Sequence, residues 1–332
     1  MSSSKHHLKP FGIERRKVWI LGVDLITITG ESNIRKALHS GQLNRLTATT
    51  TSISELPLWT RLYFPLTRFY NGAYKNWFLA FRSKDHPSYS PCRRYLDTSF
   101  ENKQYDQDFV KQAADLLEKT NTDSSKKNKD INGQLAGIFT QVICRRFNNN
   151  HPIDPKIIDS ASHGLTQFQQ TFAPWKSIPA CVHVRKVYDY AEAILRESDH
   201  LSELPSEAIT DVANSIFAIE QNGPVALQVV ANNLDQNVET TLAKAGITPE
   251  VPRIATQSGT LDGLLEESDP MVAGKTVVLL NLHEAGMKSG KVEWAFGDGT
   301  TERQCAAKPE ILRFLHEVQD ELIKRRTKRS ET

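Results

Sequence analysis

FGDGTTERQCAAKPEI, residues 296–311, sets a single cysteine, Cys305, between a glycine-containing turn and an amphipathic helix. The helix reads from Lys308 to Arg326, because Ile311, Leu312, Phe314, Leu315, Val318, Leu322 and Ile323 recur at three- and four-residue steps and make one apolar face. Pro309 suits its first turn, where a missing amide donor costs nothing. Cys305 then precedes the helix N-terminus, where unpaired amides and aligned peptide dipoles favour negative charge; the expectation is a thiol shifted toward thiolate. Gly297 and Gly299 allow positive backbone angles and close approach to a flat ligand, and Arg303 can meet an anionic group on it. The spacing points to a metal-bearing cofactor.

On these residues the chain resembles the cytochrome P-450 superfamily. That family's haem loop runs Phe-Gly-x-Gly, then a basic residue two before the ligand cysteine and a small residue two after it; Phe296, Gly297, Gly299, Arg303, Cys305 and Ala307 take those places. The loop departs from the family by two extra residues between Gly299 and Arg303 and by alanine where the family usually carries glycine after the cysteine. The resemblance extends upstream. PEVPRIA (249–255) and GKTVVLLNLHEA (274–285) are similar to the extended segment after helix K, and SIFAIEQNGPVALQVVANNL (215–234) to the long helix over the distal face of the haem. It implies heme b (iron, axial thiolate) with Cys305 as the metal ligand, a ligation that favours O–O cleavage. Arg303 would steady a propionate, and Phe296 would pack beside the sulfur.

The distal segment is strongly apolar through Ile209, Val212, Ala213, Ile216, Phe217, Ile219, Val225, Leu227, Val229 and Val230, so most of it should be buried. Gly223-Pro224 sits in its middle. Proline removes a backbone donor and crowds the preceding turn, which predicts a kinked or opened helix with carbonyls free to face a ligand. Oxygen-activating family members usually carry an acid and a threonine there; this chain shows Glu220, Gln221 and Asn222. By resemblance Glu220 and Asn222 are the candidate catalytic residues, with Asn222 able to hydrogen-bond a peroxide or substrate oxygen.

Two departures bear on activity. The family's Glu-x-x-Arg motif should precede PEVPRIA, but Glu239-Thr240-Thr241-Leu242 puts leucine where arginine belongs. Only twelve residues separate His283 from Phe296, where relatives have a long meander carrying another arginine. The chain therefore reads as a shortened, divergent member, with a truncated gene model as a further reading. The resemblance implies monooxygenation of a hydrophobic small molecule in secondary or lipid metabolism, with electrons from an NADPH-dependent reductase. A second reading is reductase-independent isomerisation or dehydration of a peroxide on the same fold. A third is a non-catalytic, haem-free remnant.

Composition bounds the rest. The 332 residues, 39% hydrophobic and 24% charged, can bury a large core, and 41 Lys+Arg against 39 Asp+Glu leave a net charge of +2. Nothing in that balance favours nucleic acid or an anionic membrane. Cys92, Cys144, Cys181 and Cys305 show neither metal spacing nor a disulfide framework, and the first three read as packing residues. There is no run of about 18 apolar residues and no apolar secretory core at the start. The expectation is a monomer without a transmembrane segment, cytoplasmic or peripheral on the endoplasmic reticulum. Asp269 occupies the first glycine position of a phosphate loop ending at Gly274-Lys275-Thr276, so that motif fails; His283-Glu284 lacks a second histidine one turn on.

Elsewhere, residues 17–30 read as a strand pair followed by a helix over 31–40, and 56–81 as aromatic-rich helical pieces interrupted by Pro57 and Pro65. NTDSSKKNKD (121–130) reads as a polar linker, and 131–147, 154–175 and 186–197 as helices. The fold class is mainly α with a small β region: one large cytochrome P-450-like domain over 1–332, ending in a basic, disordered tail at 324–332.

Overall fold

A computed structural model of the chain describes residues 12–18, 23–44, 82, 85–101, 107–122, 128–147, 153–160, 174–197, 202–247, 250–297 and 304–331. In chain order its elements are β1 (Ile13–Val18), β2 (Val23–Ile28), α1 (Glu31–His39), β3 (Leu43–Asn44), α2 (Tyr89–Phe100), α3 (Gln107–Thr122), α4 (Asn128–Phe147), α5 (Pro174–Glu197), α6 (Glu207–Ala231), α7 (Val238–Ala245), β4 (Glu250–Ala255), β5 (Thr276–Asn281), α8 (Leu282–Ser289), a 3-10 turn (Val292–Phe296) and α9 (Lys308–Ser330). The chain is mostly helix with one small sheet, as the residue patterns predict. The aromatic stretch 56–81 lies outside the described residues, as does most of 154–175.

The sheet has the order β1-β2-β5-β4-β3. β2 and β5 run parallel, Ile26 facing Val278, while every other pairing is antiparallel. The strand pair expected over 17–30 begins four residues earlier, at Ile13. β5 is buried along nearly its whole length, which matches its uninterrupted TVVLL run. It ends where Asn281 turns its side chain onto the Glu284 amide, an N-cap that starts α8 and converts the expected extended segment into a helix.

Two apolar cores meet at the 3-10 turn. Ile26, Ile28, Ile34, Val278, Leu280 and Trp294 pack on the sheet side, whereas Val292, two residues earlier, joins the helical core of α2 through α7 and α9. Trp294 is 1% exposed and Phe314 of α9 is likewise buried. Truncating a side chain as large as Trp294 to alanine costs roughly 3–5 kcal/mol. Phe139 of α4 meets Phe314 edge-on with centroids 5.3 Å apart, tying α4 to α9.

Two expectations are corrected. The basic tail is helical to Ser330: Arg325 bonds Glu321 one turn back and reaches Asp115 and Glu118 of α3, and Arg329 reaches Glu118 as well. These pairs, in a run without glycine or proline, carry the helix beyond the last apolar residue. α6 does not open at Gly223-Pro224; it is one helix from Glu207 to Ala231 with Pro224 inside it. Gly223 explains the continuity, because a Cβ there would come within 2.6 Å of the Phe139 ring. The glycine lets α4 press against the weak step and hold it.

Candidate haem-thiolate site at the head of helix α9

Cys305 sits three residues before α9, and its surroundings are built from four parts of the chain. Its amide donates to the Phe296 carbonyl at 3.2 Å, closing the loop back on the 3-10 turn, and its carbonyl accepts from Lys308 at 3.1 Å, opening the helix. Phe296 and Cys305 are both partly buried against the helical core. The structure therefore brings together the two residues that the sequence pattern pairs. Gly297, with φ of 102°, holds a conformation that side chains resist, and turns the chain out of the 3-10 segment. Gly299 and Arg303 lie outside the described residues.

Cys305 carries a free thiol and is half-buried. The first-turn backbone amides of Ala307 and Lys308 favour a charged sulfur, as the helix terminus predicts. They do not make it acidic. Burial pushes the Cys305 thiol above its ordinary value, and the amides and the Arg93 guanidinium pull down without overcoming it, while Asp97 adds to the upward side. The expected thiolate shift is thus corrected: desolvation of a lone anion outweighs a helix terminus at a site this closely packed.

Residues distant in sequence complete the site. Arg93 of α2 donates to the carbonyl of Gln304, immediately before the cysteine, at 2.6 Å and pairs with Asp97 at 2.8 Å. Glu310, in the first turn of α9, is 1% exposed; it pairs with the buried Arg146 of α4 and, at 2.9 Å, with Arg313. Removing one partner of such a buried pair typically costs about 3–5 kcal/mol, so the orientation of α9 rests on it. Neither Arg93 nor Arg146 is visible as a site residue in the sequence. Arg93 acts across 211 residues and Arg146 across 164, and no local pattern announces either.

Across the core, α6 is buried on all sides except one stripe. Ser215, Ala218, Gln221, Asn222, Val225 and Val229 form it at helical spacing, with Asn222 exposed and Val225 45% exposed. Glu220 does not share that stripe. It is 1% exposed on the opposite side, where Thr140 and His183 hold it. Glu220 and Asn222, the two candidate catalytic residues, therefore face opposite sides of α6, since two residues along a helix turn a side chain by about 200°.

The region of the missing Glu-x-x-Arg arginine is α7. Leu242 is buried and Glu239 pairs with His316 of α9 at 3.0 Å. The second Glu239 carboxylate oxygen and the Thr241 hydroxyl are buried with no hydrogen-bond partner among the described residues. No group of three or more His, Cys, Asp or Glu among the described residues could hold a bare metal ion. Cys305 is a single ligand, suited to a metal that brings its own macrocycle. A sulfur at a helix head, with an arginine braced on the carbonyl just before it, fits a haem-thiolate ligand set. No helix among the described residues is long and apolar enough to cross a membrane.

No protein-family model matches the sequence, and no curated protein matches it. Solved structures do. A 6-coordinated cytochrome P450 from Thermus thermophilus aligns over 93% of this chain and 85% of its own, at 14% identity and a TM-score of 0.60. CYP105D6 aligns over 94% of this chain and 83% of its own, at 13% identity and a TM-score of 0.62. A mutant of cytochrome P450SP alpha aligns over 93% of this chain and 84% of its own, at 11% identity and a TM-score of 0.55. The chain has the cytochrome P450 fold, and the mostly helical architecture with a small mixed sheet is that fold.

Proposed function

We propose that the chain is a haem-thiolate oxidoreductase in which Cys305 is the proximal ligand and a hydrophobic small molecule is oxygenated against the open stripe of α6. The observation that carries the reading is Cys305 at the head of α9, its backbone closed onto Phe296 and Lys308, with Arg93 braced on the preceding carbonyl. Bound haem with a thiolate ligand supplies cleavage of an O–O bond. The residues of the chain do the rest. The Ala307 and Lys308 amides spread the charge of the sulfur, and Glu310 with Arg146 keeps the helix that carries them in place. Phe296 would pack beside the ligand sulfur, and Arg93 and Arg303 would offer cationic groups to the carboxylates of the cofactor. Ala218, Val225 and Val229 offer apolar surface to substrate, while the Asn222 side-chain amide donates a hydrogen bond to its oxygen. An NADPH-dependent reductase would deliver the electrons.

The test is the absorption spectrum of the purified, haemin-reconstituted protein, reduced and exposed to carbon monoxide. A thiolate-type Soret band is expected, and Cys305→Ser should remove it. Protein that stays colourless after reconstitution defeats the proposal in favour of a haem-free remnant, the reading that the loss of arginine at Leu242 motivates.

A second reading, peroxide isomerisation or dehydration without a reductase, draws on one feature of α6. Its open stripe holds serine, alanine, glutamine, asparagine and valine, and no acid or base, because Glu220 turns to α4 and α5. An amide can orient a peroxide but cannot deliver a proton. Conversion of a fatty-acid hydroperoxide with no reductase present would favour it; NADPH consumption coupled to product would favour monooxygenation.

A further inference from the structure

Pro224 makes the middle of α6 its weakest step, because the Glu220 carbonyl, four residues earlier, has no proline amide to accept from. The molecule answers with side chains at that level. Gly223 admits the Phe139 ring, as described above. Glu220 places one carboxylate oxygen on the Thr140 hydroxyl of α4 and the other 2.8 Å from His183 Nε2 of α5. The ring continues from His183 Nδ1 to the Ser160 hydroxyl at 2.7 Å, and Ser160 reaches the Ile157 carbonyl at 2.9 Å. Thr140, His183 and Glu220 are 0%, 2% and 1% exposed. Cys144 of α4 is buried near the same carboxylate.

A carboxylate buried to this degree is costly unless both oxygens are engaged, and here each one is, by a different helix. The grip falls four residues before Pro224 and two before Asn222. Any rotation or slip of α6 released at this point moves the Asn222 stripe, which lies on the far side of the same turn. We propose that Glu220 is a positioning residue: gripped by Thr140 and His183, it fixes α6 at its proline step and thereby aims Asn222 into the open stripe. This rests on the reading of that stripe as the ligand face, and it replaces direct chemistry by Glu220 with action through Asn222.

The experiment compares wild type, Glu220→Gln, Thr140→Val, Asn222→Ala and the Glu220→Gln/Asn222→Ala double variant. Amide hydrogen exchange, read on protein with or without haem, should accelerate at least tenfold over residues 221–228 in Glu220→Gln and leave α9 unchanged. Thr140→Val, which removes one hydroxyl at constant shape, should give a smaller increase in the same segment and carries the exchange test should Glu220→Gln fail to fold. On haem-loaded protein, turnover of cumene hydroperoxide should fall about tenfold in Glu220→Gln, yet fall no further when the substitution is added to Asn222→Ala, because a positioning residue has no effect left once its target is gone. Unchanged exchange over 221–228, a rise spread evenly over the molecule, or additive losses in the double variant would overturn the proposal. Should no haem bind, the exchange result alone decides the grip, and the failure belongs to the functional reading.

Discussion

The head of α9 and the α7–α8 corner are both crossings of buried polar groups with helices, yet they are finished differently. At the head of α9, Glu310 satisfies Arg146 and Arg313, Arg93 satisfies the Gln304 carbonyl and Asp97, and the backbone closes on Phe296. At the corner, one Glu239 oxygen, the Thr241 hydroxyl, His283 Nδ1 and Trp294 Nε1 are buried with no partner among the described residues. The corner is nonetheless tight, since a Cβ on Gly246 would fall 1.9 Å from His283 Nδ1 and one on Gly286 2.6 Å from the Ala243 carbonyl. The contrast teaches that leucine at position 242 need not loosen the segment that carries Cys305. The segment that carries the thiol is tied to α2 through the Gln304 carbonyl and to α4 through Glu310, and neither tie involves α7.

Breaking the comparison starts with the buried pair. Glu310→Gln removes the charge that Arg146 faces and should lower stability by about 3–5 kcal/mol, seen as an earlier urea midpoint at unchanged slope. A loss below about 1 kcal/mol, the scale of an exposed pair, would show that the head of α9 is held by packing alone. Thr241→Val probes the corner in the opposite sense. It deletes a buried hydroxyl without changing shape, and the outcome should lie between neutral and a gain of about 1 kcal/mol; a clear loss on thermal melting would mean that the hydroxyl has a partner, such as a bound water, and that the corner is as complete as the head of α9.

The smallest effect lies on the rim of the corner, where Glu31 pairs with Lys291 at 2.9 Å and Arg35 at 2.8 Å. Hydrogen bonds from Lys291 and then Arg35 hold the Glu31 carboxyl below its ordinary value of 4.5. Its contribution is therefore complete above pH 4.5 and drains as the pH falls through the lower folded-state value. Glu31→Gln should cost less than about 1 kcal/mol at pH 7 and flatten the acid limb of a stability profile. An acid limb identical to wild type would remove Glu31 from the account.

Much of the site was legible locally because its parts are neighbours in sequence. Phe296, Gly297, Cys305 and Pro309 lie within one turn and one helix start, and turn chemistry and capping act over a few residues. The departures were legible for the same reason: Leu242 in place of arginine and the short span from His283 to Phe296 need only counting. Arg93, Arg146 and the Thr140–Glu220–His183 grip were not legible, because each joins residues from 37 to 211 positions apart. The tail misled because periodicity reports an apolar face and is blind to cations that pair with another helix.

By itself the sequence determined the helical character, the strand that becomes β5, the amphipathic α9 and a cysteine at its head, all consequences of short-range periodicity and backbone chemistry. Tertiary structure alone decided which way the side chains of α6 turn, and so placed Glu220 among buried partners and Asn222 on the open stripe. It also decided the balance at the Cys305 thiol, whose helix-terminus amides favour charge while burial by the assembled chain disfavours it more strongly. Burial is a property of the whole assembled chain, and no window of residues contains it.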